Sequence, residues 1–234
     1  MIERPKLLFV LAIVFAFAAG SASAEQSSDG GSPTDGLSLP LVTFTFDFPQ
    51  SSPDHYELSV DSTGKASYTS GEQPKSPDAA DQSFHYDFRV SDATRNQILQ
   101  LSERANYFAG KLEQGKGKIA NTGMKTLSYR DDHRNTSATF NYTSEPAAQE
   151  LTRIFQSISA TMEFGERLAH FHKYQKLALD EELKRMEEMV KGNGLMEVQA
   201  IAPLLKQIVA DPSVVNPTRA RAERMLLTVN APRR

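Results

Sequence analysis

Four short stretches of alternation constrain this chain more than any other feature. Val42, Phe44, Phe46 and Phe48 alternate with Thr43, Thr45 and Asp47, and Tyr56, Leu58 and Val60 repeat the pattern. Ala66 and Tyr68 continue it, and Phe84, Tyr86, Phe88 and Val90 complete the set. A period of two puts every large side chain on one side of an extended backbone, so each stretch predicts a strand with one buried face. Asp61-Ser62-Thr63-Gly64 supplies turn chemistry between the second and third stretches, with Gly64 suited to positive φ, which predicts a hairpin. A loop containing Pro and Gly, Ser70 to Gln82, leads to the fourth.

The period changes at Ser91. Ser91 is a candidate N-cap, and Asp92 suits the positive end of a helix dipole. Ile98, Leu101, Ala105 and Phe108 fall on one helical face, with Gly110 as the expected stop. Two more strand-like runs follow, Met124 to Arg130 and Thr136 to Tyr142, joined by the polar turn Asp131-Asp132-His133-Arg134-Asn135. The expected fold is therefore α+β. An antiparallel sheet of about six strands, with a helix packed on one face, occupies residues 41–143.

Residues 144–234 read as helical throughout, packed on the sheet or extending from it. Ser144 is a candidate cap with Pro146 in the first turn, and Leu151, Ile154, Phe155, Ile158 and Met162 form an apolar stripe. Gly165 is a candidate break or bend. Leu168, Phe171, Leu179, Leu183, Met186 and Val190 then carry the helical pattern to Gly192-Asn193-Gly194, a stop. The polar side carries Asp180/Lys184, Glu181/Arg185 and Glu187/Lys191, pairs at i,i+4 that mark a solvated face. Two shorter helices, Met196 to Ala210 and Pro217 to Val229, close the chain.

The first 24 residues differ from the rest. Arg4 and Lys6 precede an unbroken apolar run from Leu7 to Ala19, and Ser21-Ala22-Ser23-Ala24 then places small residues at −3 and −1 before Glu25. This layout predicts a cleavable export signal, cut near Ala24, because the run falls short of the roughly 20 apolar residues that span a bilayer. No membrane span is expected after cleavage, and the expected location is periplasmic or secreted. Residues 25–40 are rich in Ser, Gly, Asp and Pro and read as a flexible tether.

Composition narrows the chemistry. The 234 residues contain no Cys and no Trp. That excludes a disulfide framework, a thiolate metal site and a cysteine nucleophile, and an exported fold must then depend on packing alone. Residues 25–150 carry a net charge of −7 and residues 151–234 a net of +3. A +3 spread over the helical part is too thin for a nucleic-acid footprint.

Gly110 to Lys116 matches the opening of a phosphate-binding loop, but Gly117 stands where Ser or Thr must hold magnesium, and the loop precedes a strand. His170 and His172 lie about 200° apart on a helix and cannot chelate one metal together. His55 and His85 would share a weak metal site only if their strands were neighbours, and His133 sits in a turn beside Asp131 and Asp132. Glu181-Glu182 reads as an ion-pair partner set. Asn135-Thr-Ser and Asn141-Tyr-Thr fit the glycosylation pattern, and the 20 Phe and Tyr residues fit a sheet core. No HExxH or GxSxG sequence occurs. On these grounds no catalytic, cofactor-binding or metal-binding residue is assigned, and no cofactor is expected.

One stretch has a family likeness. Ile201-Ala-Pro203-Leu204-Leu205-Lys-Gln-Ile208-Val-Ala-Asp211-Pro212, followed by Arg219, Arg221, Ala222 and Leu226, resembles a single HEAT-type helical hairpin. In that family a proline interrupts the first helix, an Asp-Pro turn follows and a basic residue opens the second. The likeness covers about 30 residues, and no second copy follows. It implies a helix pair packed on its neighbours and no solenoid.

The functional expectation is an exported, non-enzymatic binding or interaction protein with a protein partner in its compartment and an open oligomeric state. Two alternatives stand beside it. One is an exported hydrolase with a dispersed acid/base site, on His133 with Asp131 or on His55 with His85. The other is an inhibitor of an exported hydrolase, using loop 70–82 or loop 110–123 as a wedge.

Overall fold

The computed structural model describes residues 38–49, 51–71, 83–113 and 120–230. The expected signal and the tether as far as residue 37 lie outside the described residues. Six strands form one antiparallel sheet: β1 (Leu41–Asp47), β2 (His55–Asp61), β3 (Lys65–Gly71), β4 (Phe84–Arg89), β5 (Met124–Arg130) and β6 (Asn135–Phe140). Their spatial order is β4-β3-β2-β1-β5-β6, so β4 and β6 are the edges.

The register explains the alternation. Phe44 pairs with Leu58 and Leu127, Leu58 with Tyr68, and Tyr68 with Tyr86, so the large side chains of neighbouring strands fall in one row on one face. Opposite them, Thr43 pairs with Ser59 and Ser128, Ser59 with Ser67, and Ser128 with Ser137. One face is thus aromatic and aliphatic, the other a field of hydroxyls. Asp61 closes the β2–β3 hairpin by accepting from the Thr63 and Lys65 amides at 2.8 and 3.0 Å, with Gly64 at φ +85°.

Helix α1 (Asp92–Arg104) carries the chain from the β4 edge toward β5 in the sheet interior. Ser91 caps it, its side chain accepting from the Thr94 amide. The helix ends earlier than the apolar spacing predicts. Asn106, Tyr107 and Phe108 all take positive φ, at 50°, 51° and 63°. Such backbone costs on the order of 1 kcal/mol or more per residue. It is offset by what the turn achieves: Phe108 becomes buried, Tyr107 packs on Tyr129 with centroids 4.6 Å apart, and the Tyr107 carbonyl accepts from Thr136 Oγ1. Gly110 is therefore not the helix stop.

Helix α2 (Pro146–Tyr174) lies on the apolar face of the sheet, where the Phe155 ring stacks on Phe44 at 5.4 Å. Its cap is Glu145, whose side chain accepts from the Ala147 amide, and not Ser144. The helix also runs straight through Gly165. A Cβ at that position would stand 2.8 Å from Ile201 Cγ2, so the glycine serves close packing against the next hairpin rather than a break. The interruption comes at Gln175 (φ −145°, ψ 59°), followed by a single tight turn and α3 (Leu179–Lys191).

The last hairpin begins with a tight turn, Val198–Ile201, leading into α4 (Ala202–Ala210), and α5 (Asn216–Asn230) ends the described chain. The expected single helix from Met196 does not form. Glu197 has φ +58°, and Pro203 lacks the N–H that a continuous helix would use. The expected Asp180/Lys184 pair is also replaced, because Asp180 and Glu187 turn toward Arg221 of α5 at 3.2 and 2.8 Å. A single hydrophobic core joins the sheet to α1, α2 and the C-terminal helices. Among the described residues no helix is long and apolar enough to cross a membrane.

Candidate functional site

The groups singled out in the sequence are mostly kept apart. His55 pairs with Asp47 across β1–β2, Nδ1 to Oδ1 2.6 Å, while His85 pairs with Thr69 on β3 and approaches Asp87 at 3.2 Å. Their strands are separated by β3, so the imidazoles do not share a site. Asp131 accepts from the backbone amides of His133 and Arg134 at 2.8 and 2.6 Å, and these bonds with Arg134 and Tyr129 hold its carboxyl below the usual range. It is a turn residue, and the His133 side of that turn is exposed. His170 packs against Phe171 and Tyr174. Among the described residues no three His, Asp or Glu side chains are grouped to hold a metal.

His172 has a more interesting neighbour, which the sequence did not reveal. Its Nε2 lies 2.9 Å from Asp211 Oδ2, Lys176 Nζ donates to the same oxygen at 2.6 Å, and the Ser213 hydroxyl and amide donate to Oδ1 at 2.5 and 2.9 Å. These donors, Lys176 foremost, hold the Asp211 carboxyl far below its ordinary range. A hydroxyl, an imidazole, an ammonium and a carboxylate meet here, yet the Ser213 proton points at the carboxylate and Lys176 donates to Ser213 Oγ. The imidazole that could act as a general base is bonded to Asp211 and not to the hydroxyl. The cluster ties the Asp-Pro turn to the end of α2.

Two further charges are saturated in the same way. Lys125 occupies an inward position of β5, in the row of Phe46 and Phe140, and is 7% exposed. Its ammonium donates to the carbonyls of Thr122, Gly123 and Asn141 and to Thr122 Oγ1, all within 2.8–3.1 Å, and burial lowers its pKa. Asn141 is consumed nearby, donating from Nδ2 to the Ala120 carbonyl at 2.9 Å, so the second glycosylation sequence has its acceptor nitrogen occupied in the folded chain. Glu197, 2% exposed, accepts from the Ser91 amide (2.7 Å), Ser91 Oγ (2.9 Å) and Thr94 Oγ1 (2.5 Å), and also from Gln199. Its carboxylate sits at the positive end of α1.

An open cleft lies between the edge strand β4, α2 and α4. It has a volume of about 240 Å³ and is walled by Phe84 and Tyr86 on one side and Pro203 and Leu204 on the other, over Met162 and Ala169. Each wall has a cause. Phe84 and Tyr86 point inward by strand alternation but sit on the edge strand, so the core covers them only in part. Their rings are nearly parallel, 8° apart with centroids at 6.2 Å. The Tyr86 hydroxyl donates to the Ala200 carbonyl at 2.9 Å and fixes the aromatic wall to the hairpin wall. Gly165 draws α4 against α2 through Ile201, which sets the width.

The acidic groups of α2 next to the cleft divide unequally. Glu163 accepts from the Tyr68 hydroxyl, and Arg167 lies 3.9 Å away. Arg167 itself is engaged by Glu182 of α3 at 2.6 Å. Burial beside the Glu163 charge raises the Tyr68 phenol well above its ordinary value. Glu166 lies on the stripe of Met162, Gly165 and Ala169 by helical spacing (i, i+3, i+4, i+7). It makes no hydrogen bond or ion pair among the described residues. Partial burial raises its pKa, with the Glu163 charge adding to the effect and Arg167 and His170 opposing it.

Compared with models of known protein families and with curated proteins, the chain matches none. The cleft must therefore be read from its own residues. Sequence alone could not have located it: its walls come from β4, α2 and the last hairpin. The one local signal was the inward aromatic pair on a strand with a single hydrogen-bonded neighbour.

Proposed function

We propose that the protein is an exported, non-enzymatic binding protein and that the cleft between β4, α2 and α4 is its binding site. The observation that carries this reading is a preformed, almost wholly apolar cleft held open by packed elements, while the charged clusters elsewhere are saturated by their own neighbours. Clefts of this kind, apolar with a few polar groups at the rim, are the usual architecture of small-ligand sites. At about 240 Å³ it falls just below the roughly 300–1,000 Å³ of drug-sized ligand sites, which favours a small occupant. Export is supported by the N-terminal charge, the apolar run and the small residues before Glu25.

Two measurements test the reading. Ala169 lines the cleft and is exposed, so Ala169→Phe fills the space without entering the core. Titration with n-hexanol, followed by amide shifts, is expected to perturb Ala169, Leu204 and Tyr86, and A169F should abolish the response. Shifts scattered over the surface, or unchanged in A169F, would overturn the assignment of the cleft. For export, N-terminal sequencing of the protein recovered from an exporting host should begin at Glu25; recovery of Met1 would overturn it.

The hydrolase reading has less support, since its two imidazole–carboxylate sites are a cross-strand pair and an exposed turn. The inhibitor reading rests on loops of which 72–82 and 114–119 lie outside the described residues.

A further inference from the structure

The chemistry of the cleft's rim narrows the occupant. The interior offers hydrocarbon and two parallel aromatic rings, and its polar lining side chains are Gln207 and Tyr86, whose hydroxyl is bonded to the Ala200 carbonyl. A neutral apolar ligand would satisfy those walls and leave Glu166 as it is: a half-buried carboxylate with no bonded partner among the described residues, three residues from Glu163 and so within one helical turn of it. An anionic ligand would add a third negative charge beside these two. A cation removes the imbalance. Arg167 and His170, the basic residues near Glu166, are engaged elsewhere. Arg167 is committed to Glu182 and stacks over Phe164 at 4.6 Å, and His170 packs on Phe171 and Tyr174.

We infer that the cleft takes a small hydrophobic amine, with its hydrocarbon part between Phe84, Tyr86 and Leu204 and its ammonium against Glu166. The inference rests on the reading of the cleft as the binding site and specifies the class of ligand. The carboxylate contributes to selectivity more than to raw affinity, because half-exposed ion pairs are screened by solvent. Small primary amines with an alkyl or aryl body fit both requirements. Bulky dyes and polyanions fit neither.

The test uses three probes of one length, n-hexylamine, n-hexanol and hexanoate, titrated into the full chain at neutral pH. The expected order is amine tightest, alcohol next and carboxylate weakest, with roughly tenfold between amine and alcohol. Glu166→Gln should reduce amine affinity to that of hexanol and leave hexanol binding unchanged. A169F should remove binding of all three. If hexanol binds as tightly as hexylamine, or E166Q leaves their ratio unaltered, the amine assignment fails while the cleft stands. If none of the three binds at millimolar concentration, both the amine assignment and the cleft reading fail.

Discussion

The residues from Glu197 to Leu204 border two seams of opposite character. On one side Glu197 closes a joint with α1: a buried carboxylate accepts from the Ser91 amide, the Ser91 and Thr94 hydroxyls and Gln199. On the other, Ile201, Pro203 and Leu204 face β4 across an open apolar cleft, and Glu166, the residue after Gly165 of its lining, makes no hydrogen bond or ion pair among the described residues. Both carboxylates belong to helical regions laid against the same sheet. The difference teaches where the fold spends its polar groups. A charge that must be buried for packing is surrounded by donors, because an unpaired one costs several kcal/mol. A charge that is left unpaired stays where solvent or a ligand can reach it.

The largest expected effect is on the closed side. Glu197→Ala strands three donors at the start of α1 and should destabilise the protein by about 3 kcal/mol in a denaturant melt. A loss below about 1 kcal/mol would mean that the joint is not what holds the hairpin to α1. Next comes Lys125→Met, which retains the length but leaves three carbonyls and a hydroxyl without their shared donor. About 2 kcal/mol is expected, read by the same melt, and an unchanged midpoint would remove Lys125 from the saturated class. Gly165→Ala sharpens the geometry between the seams. The alanine gains up to about 1 kcal/mol of helix propensity, but its Cβ meets Ile201 at 2.8 Å, so a net loss of about 1 kcal/mol and a wider cleft are expected. A stabilised variant would show that α4 yields easily.

The smallest expected effect on stability is on the open side. Glu166→Gln should change stability at neutral pH by no more than about 0.5 kcal/mol. Its signature is the pH profile. The folded-state pKa of Glu166 is raised above its ordinary value of 4.5, so the folded chain holds its proton more tightly than the unfolded one. The contribution is therefore full below pH 4.5 and is lost as pH rises from there through the folded pKa. E166Q should remove that decline, measured as the difference between two stability–pH curves. Asp211 works in the opposite sense, since its lowered pKa gives stability that is present above about 3.8 and lost as pH falls below it. Curves that coincide above pH 4.5 would show that Glu166 is already paired.

The sheet was legible because alternation is local and the hairpin turns carry their own chemistry. Phe44, Leu58, Tyr68 and Tyr86 announce their face from spacing alone, and the register sets them in one row. The helix limits were read less well for a consistent reason. Gly165 reads as a break or bend, yet its missing side chain accommodates Ile201, a residue from the turn before α4. Gln175, where the chain does break, belongs to no breaker class, and the turn after it carries Lys176 to Asp211. Lys125 reads as a polar interruption of a strand until its acceptors are seen converging from two loops. Of the cleft only the inward Phe84 and Tyr86 show in the sequence, because no window of it contains two of the walls.

The order and type of elements, the buried face of each strand, the Ser91 cap and the absence of cysteine chemistry were determined by the amino-acid sequence itself. Each depends on neighbours within a few residues, or on composition. Tertiary structure decided the rest. It joined Glu197 to Ser91, 106 residues apart, turned Arg221 toward Asp180 and Glu187, and brought Phe84 and Tyr86 to one opening with Gly165, the residue before Glu166, and Leu204. Packing alone determines which charges meet donors and which face an empty cleft, since a side chain's partners are set by the distances between elements and not by its place along the chain.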